Sequence, residues 1–168
     1  MNKTRTVTMK GNPVTLVGNE IKTGDKAPAF TVLDGGMQPV SLDTYKGKIK
    51  VISVTPSLDT AVCDLQLRRF NSEIASMGDR YAVINVSMDL PFAIKRFCTT
   101  AGIENAVAAS DHREAAFGTA YGVLIKELRL LARAVFVVDE NDVVTYAEYV
   151  PEVTSSPDFD KLIAFLKK

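Results

Sequence analysis

The segment Pro56-Ser57-Leu58-Asp59-Thr60-Ala61-Val62-Cys63 puts one of the chain's two cysteines just after residues that start helices. Asp59 or Thr60 can serve as N-cap. Cys63 then falls in the first helical turn, where unpaired backbone amides and the positive end of the helix dipole favour a thiolate. Leu67, Phe70, Ile74 and Met77 follow at helical spacing, and Cys63 lies four residues before Leu67 on the same face. A cysteine there can equally be a small buried hydrophobe, so position alone does not separate a reactive thiol from core. Lowering a thiol pKa from about 8.5 to about 6 raises the ionised fraction at neutral pH roughly thirty-fold, and lower nucleophilicity gives back roughly ten-fold. A thiolate that cleaves peroxides quickly therefore needs donors and a cation on the departing oxygen, where one well-aimed donor contributes about a hundred-fold or more.

Thr60, on the same turn, is one such donor. For the cation, Arg133 is the first choice, because it stands at the mouth of the apolar run Ala134 to Val138 and its fork can point along the sheet edge toward a helix start. Arg129, Arg113 and Arg96 are rivals, and any of them taken singly also reads as a solvated surface charge. Other thiol chemistries fit less well. A dithiol oxidoreductase should show Cys-x-x-Cys, and here Asp59 and Thr60 precede a lone Cys63. A cysteine hydrolase would have to use His112, the single histidine, which sits in a polar stretch between Asp111 and Arg113. Cys63, Cys98 and His112 do not have structural zinc spacing.

The elements that must position these residues read as mixed α/β. Val7 to Val17 reads as a hairpin turning at Gly11-Asn12-Pro13, and short strands cover Phe30 to Leu33 and Val40 to Leu42. Ile49 to Val54 is a central strand that stops before Pro56, and the helix carrying Cys63 runs on to Gly78. Tyr81 to Ser87 is a second buried strand. Asp89 and Pro91 open a second helix that carries Cys98 to about Gly102. After a less regular stretch, Ala134 to Val138 and Val143 to Val150 form a hairpin around Glu140-Asn141-Asp142, and Pro157 opens a last helix to Lys168. The pattern implies a mixed central sheet with helices on both faces.

The 168 residues, 46% hydrophobic, suit one domain, and twenty basic residues cancel twenty acidic ones without a long run of either sign. That excludes the electrostatic footprint of a nucleic-acid binder. No stretch is long enough to span a membrane, and after Lys3 and Arg5 the alternation up to Gly18 offers no signal-peptide core. Two cysteines make no structural disulfide framework, so a cytoplasmic protein with reduced thiols is expected.

Pro56-x-x-x-Thr60-x-x-Cys63 matches the active-site motif of the peroxiredoxins, and the run through Asp64 resembles their thiol peroxidase subgroup, of the atypical two-cysteine type. Gly11 to Leu16, Asp89 to Cys98, and Ala132 to Asp142 are similar to that subgroup in order and spacing. The resemblance implies a thioredoxin-like fold with an N-terminal β-hairpin, a homodimer, and no metal, haem or flavin. By motif position it makes Cys63 the peroxidatic cysteine and Cys98 the resolving one, with Thr60 and Arg133 orienting the peroxide and holding the thiolate. Pro56 would shield the site from water and shape the loop.

The implied cycle converts a hydroperoxide to water or an alcohol and Cys63 to a sulfenic acid, which condenses with Cys98 into an intramolecular disulfide that thioredoxin reduces. A disulfide needs Cα atoms within about 7 Å, and each cysteine is expected on its own helix, so one segment must open locally. One departure is Lys126 to Leu131, which lacks a glycine where a more flexible loop is expected. A non-catalytic interaction module, or a redox sensor that passes its disulfide to a partner, would have nearly the same sequence.

Overall fold

The structure, a computed structural model, describes residues 4–168; Lys3 lies outside the described residues. The chain opens with the hairpin β1 (Arg5–Met9) and β2 (Asn12–Val17). The turn itself is Lys10-Gly11, whose φ values of 51 and 80° are the left-handed pair that two-residue hairpins favour. Asn12 and Pro13, expected in the turn, instead begin β2. Pro13 pairs with Thr8, at the end of the strand that its other neighbour does not reach.

Then come β3 (Thr31–Asp34), β4 (Pro39–Ser41), β5 (Ile49–Val54), α1 (Ala61–Arg69), β6 (Tyr81–Ser87), α2 (Pro91–Ala101) and β7 (Val107–Ser110). The chain continues with α3 (Ala116–Ala120), β8 (Leu124–Ile125), β9 (Ala134–Val138), β10 (Val144–Tyr149) and α4 (Phe159–Leu166). Seven strands form one mixed sheet in the order β10-β9-β5-β6-β7-β3-β4, with β5, β6 and β7 parallel and the remaining pairs antiparallel. β1, β2 and β8 form a separate small sheet.

Strand alternation sorts the core into two layers. Ile52, Val54, Ile84, Val86 and Phe136 face the side where Phe30, Phe117 and Tyr121 pack. Val51, Val83, Val135 and Val137 face the other side, with Leu67 and Phe70 after Cys63, Ile94 of α2, and Leu162 and Leu166 of α4. The fully buried Lys50 ties β5 to the β9–β10 turn by donating to Asp142 at 2.6 Å.

Two expectations need correction. The helix that carries Cys63 is not uniform as far as Gly78: α1 ends at Arg69, a π turn covers Phe70–Ile74, and a 3-10 turn covers Ala75–Met77. The wider turn keeps Phe70 and Ile74 buried and presents Asn71, whose Oδ1 accepts from the Asn105 and Ala106 amides of the α2–β7 loop. The glycine-free stretch before Arg133 is a tight turn rather than a loose loop. Arg129 adopts φ 55°, its amide donates to Ile125 O, and Ile125 N donates to Leu130 O.

The N-terminal hairpin is fastened to the segment after β10. Thr8 N donates to Pro151 O and Val153 N to Thr8 O, each at 2.8 Å. The Glu152 carboxylate accepts from Thr154 Oγ1 (2.6 Å), Thr154 N (2.9 Å), Gly11 N (2.8 Å) and Thr8 Oγ1 (3.0 Å). These donors, Thr154 foremost, hold its pKa at about 2, below the ordinary 4.5. A depressed carboxylate stabilises the fold above its unfolded pKa and stops doing so as pH falls through its folded one. Glu152→Gln should therefore lower Tm modestly at neutral pH and flatten its decline between about pH 4.5 and 2, an effect that salt weakens because the group is exposed. Parallel Tm-against-pH curves for the two proteins would refute this.

Candidate active site

The site forms where polar residues interrupt apolar strands. On β5 the face that carries Val51 continues through Ser53 to Thr55, and on β6 the face of Val83 continues to Asn85, which is in register with Ser53. Ser53, Thr55 and Asn85 are fully buried beneath α1. Ser53 Oγ donates to Asn85 Oδ1 (2.8 Å), and Asn85 Nδ2 donates to Thr55 Oγ1 (3.1 Å). Gln66, one turn along from Cys63 and also fully buried, donates through Nε2 to Ser53 Oγ at 2.7 Å.

Arg133 closes this network. The β5–β9 ladder ends at Val54↔Ala134, so Arg133 stands one step beyond it, and strand parity turns its side chain to the face of Val135 and α1. Its Nε donates to Val153 O (2.8 Å), Nη1 to Gln66 Oε1 (2.9 Å) and Nη2 to Cys63 Sγ (3.3 Å). Arg133 is 2% exposed and Cys63 has no exposed surface. Among the described residues no carboxylate pairs with Arg133, since the ion pairs present join Lys50 to Asp142, Arg68 to Asp64 and Arg69 to Glu73. Of the three acceptors on this guanidinium, two are neutral amide oxygens, and the sulfur is the one that can take a negative charge.

Pro56 is buried and has no N–H. The parallel ladder therefore closes with Thr55 N donating to Val86 O, and the chain leaves the sheet toward α1. Thr60, not Asp59, holds the N-cap position of α1, with φ −124° and ψ 148°. Its hydroxyl does not cap the helix but donates to Ser57 O at 2.9 Å, and the residue is exposed. The structure thus brings Cys63, Thr60, Pro56 and Arg133 to one end of β5. Arg96 lines a groove beside the loop before Cys63 that Cys63 does not line, Arg113 lines a groove by β3, and Arg129 sits in the turn before Leu131. His112 Nδ1 lies 3.0 Å from Ser110 Oγ. Among the described residues no three His, Cys, Asp or Glu gather as metal ligands would.

Cys98 is half-buried on α2, and burial raises the pKa of its thiol. α2 turns Arg96, Phe97 and Thr100 toward the loop before Cys63, along surface grooves of about 340 and 560 Å³ that Cys63 itself does not line. Cys98, about 100° further round the helix, instead lines a groove of about 420 Å³ with Ile94, Asp34 and Gly35. Both thiols are free and both helices are intact.

Sequence reasoning missed Gln66, Ser53, Thr55, Asn85 and the Val153 carbonyl. A signal for Ser53 and Asn85 was available: each is a polar residue flanked on both sides by apolar ones, two positions after a buried valine on the same face. The carbonyl carries no sequence signal.

A thiol touched by a buried arginine at a helix start, on a mixed sheet with helices, defines a class of redox protein, and the comparisons agree. Residues 22–163 match the family model described as Redoxin. The chain is 60% identical over 161 residues to a thiol peroxidase of Halalkalibacterium halodurans, an alignment that covers 96% of each chain. It superimposes on a crystal structure of a peroxiredoxin-like protein from Aquifex aeolicus with a TM-score of 0.90 and 44% identity, over 97% of this chain and 96% of that one. A thiol peroxidase from Chromobacterium violaceum, 24% identical, shares the fold at a TM-score of 0.87 over 96% and 95% of the two chains. The chain belongs to the Redoxin family and, within it, to the thiol peroxidases, which reduce peroxides with a cysteine thiol.

Replacing Gln66 by methionine keeps the volume but leaves Arg133 Nη1 without an acceptor and removes the bond that Ser53 Oγ accepts, while Ser53 still donates to Asn85. A buried charged donor stripped of its acceptor costs about 1–3 kcal/mol or more. Gln66→Met should lower Tm by several degrees and slow oxidation of Cys63 by hydrogen peroxide about ten-fold, followed by quenched-flow mass spectrometry. An unchanged oxidation rate would show that the guanidinium does not depend on Gln66.

Proposed function

We propose that the chain, acting as one domain over residues 1–168, reduces hydrogen peroxide and organic hydroperoxides with Cys63 as the peroxidatic thiolate. The observation that carries this is the Arg133 guanidinium, buried without a carboxylate partner and donating to Cys63 Sγ. The thiolate attacks the terminal peroxide oxygen in line. An S–O bond forms, the O–O bond breaks, and the departing oxygen takes a proton to leave as water or an alcohol. Arg133 donates to the charge that develops on the two oxygens, and Thr60, held by its bond to Ser57 O, orients the peroxide by accepting from it at the hydroxyl oxygen. Pro56 keeps bulk water from the sulfur.

Cys98 then attacks the sulfenic sulfur. The S–S bond forms as the S–O bond breaks and water leaves, and thioredoxin, as a dithiol, reduces the disulfide. Cys98 faces away from the Cys63 loop, so the first turn of α1 or part of α2 unwinds at this step. A homodimer is supported by the family resemblance and by the exposure of Leu90 and Phe92 at the start of α2, 55% and 71%. Among the described residues no helix is long and apolar enough to cross a membrane, and with two free thiols this supports a cytoplasmic enzyme.

The test is peroxide consumption coupled to thioredoxin and its reductase. Cys63→Ser should abolish turnover, and Cys98→Ser should keep the first oxidation of Cys63 but lose thioredoxin-linked recycling. Full activity of Cys63→Ser would overturn the assignment. Oxidation of the wild type without sustained turnover would instead identify a redox sensor.

A further inference from the structure

The loop before Cys63 and the start of α2 meet on a single carboxylate. Asp89 Oδ1 accepts from Ser57 Oγ at 2.7 Å, and Oδ2 accepts from Leu58 N at 2.7 Å and from Ser87 Oγ at 2.9 Å. Asp89 was expected to help open α2, but Leu90 is its N-cap residue and Pro91 its first residue, and no side chain caps that end. The start of α1 also lacks a side-chain cap, because the Thr60 hydroxyl is bonded to Ser57 O. A missing cap leaves a first turn easier to unwind. Both cysteine-bearing helices therefore have weak starts, and Asp89 joins the segments that lead into them.

We propose that Asp89 is a positioning residue that latches the Cys63 loop to the start of α2. Closed, the latch fixes Ser57, and through the Ser57 carbonyl Thr60, in the geometry that receives peroxide. Released, it frees the first turn of α1 and the first turn of α2 together, which lets Cys98 reach the oxidised sulfur. This rests on the roles proposed above for Cys63 and Cys98. The latch opposes the two halves of the cycle: holding it shut favours the peroxide step and delays the disulfide.

Asparagine at position 89 removes the carboxylate charge and one of its two acceptor oxygens, so the charge-assisted bonds from Ser57 Oγ, Leu58 N and Ser87 Oγ weaken. In quenched-flow mass spectrometry of reduced protein mixed with hydrogen peroxide, Asp89→Asn should slow oxidation of Cys63 about five-fold or more, the loss of one or two ordinary hydrogen bonds. The same variant should speed formation of the Cys63–Cys98 disulfide by about as much, and less Cys63 should reach sulfinic acid at high peroxide. Ser57→Ala, which removes one donor and leaves α2 untouched, should shift both steps in the same senses by about two- to three-fold, and it serves as the test if Asp89→Asn does not fold. Both steps slowing together, or neither changing, would overturn the latch. Absence of the disulfide in wild type would instead remove the roles of the two cysteines.

Discussion

A guanidinium enclosed by protein with no carboxylate beside it is costly to keep, and most of the site can be understood from that cost. Arg133 survives burial because its Nε, Nη1 and Nη2 each meet an acceptor that the fold holds in place. Val153 O comes from the segment after β10, Gln66 Oε1 from α1, and Cys63 Sγ from the first turn of the same helix. The arrangement leaves the positive charge facing sulfur. The Cys63 sulfur is thus singled out by what surrounds the cation as much as by its own place at a helix start.

Each support has its own foundation in the fold. The Val153 carbonyl is fixed because Val153 N donates to Thr8 O, which ties the N-terminal hairpin to the active site. Gln66 is oriented by Ser53, which is oriented by Asn85, which reaches Thr55, a chain that crosses from β5 to β6 and back. The parallel register that aligns Ser53 with Asn85 therefore also holds Gln66 against Arg133. The same sheet that anchors the cation leaves the two cysteine helices to be held by weaker, local contacts. Rigid below and loosely fastened above is a sensible division for a site that must first hold a transition state and then rearrange.

Much of this was legible in the sequence. Cys63, Thr60 and Pro56 stood out by motif spacing, Arg133 was the first choice among four arginines because an apolar strand follows it, and the long apolar strands could be read from their composition. What escaped reading was short or non-local. β7, α3 and β8 span four, five and two residues, too few for a period to show. The π turn after Arg69 follows from packing of Phe70 and Ile74 and from the Asn71 contacts, which no local propensity encodes. Gln66 gave no sign of burial, because the serine it bonds lies on β5 and not on its own helix. Asp89 looked like a helix cap because its partners lie about thirty residues earlier in the chain.

The central claim is that Arg133 acts on the charge of the reacting oxygens, beyond any help it gives the thiolate. A lysine at position 133 would keep a positive charge but lose the planar fork. The direct measurement compares, for wild type and Arg133→Lys, the rate of Cys63 oxidation by hydrogen peroxide with the rate of its alkylation by iodoacetamide, a reaction that needs the thiolate but no oxygen stabilisation. A fall of about a hundred-fold or more is expected in the peroxide reaction, against less than about ten-fold in alkylation. Equal losses in both reactions would contradict it, and would reduce Arg133 to a counter-ion for the sulfur.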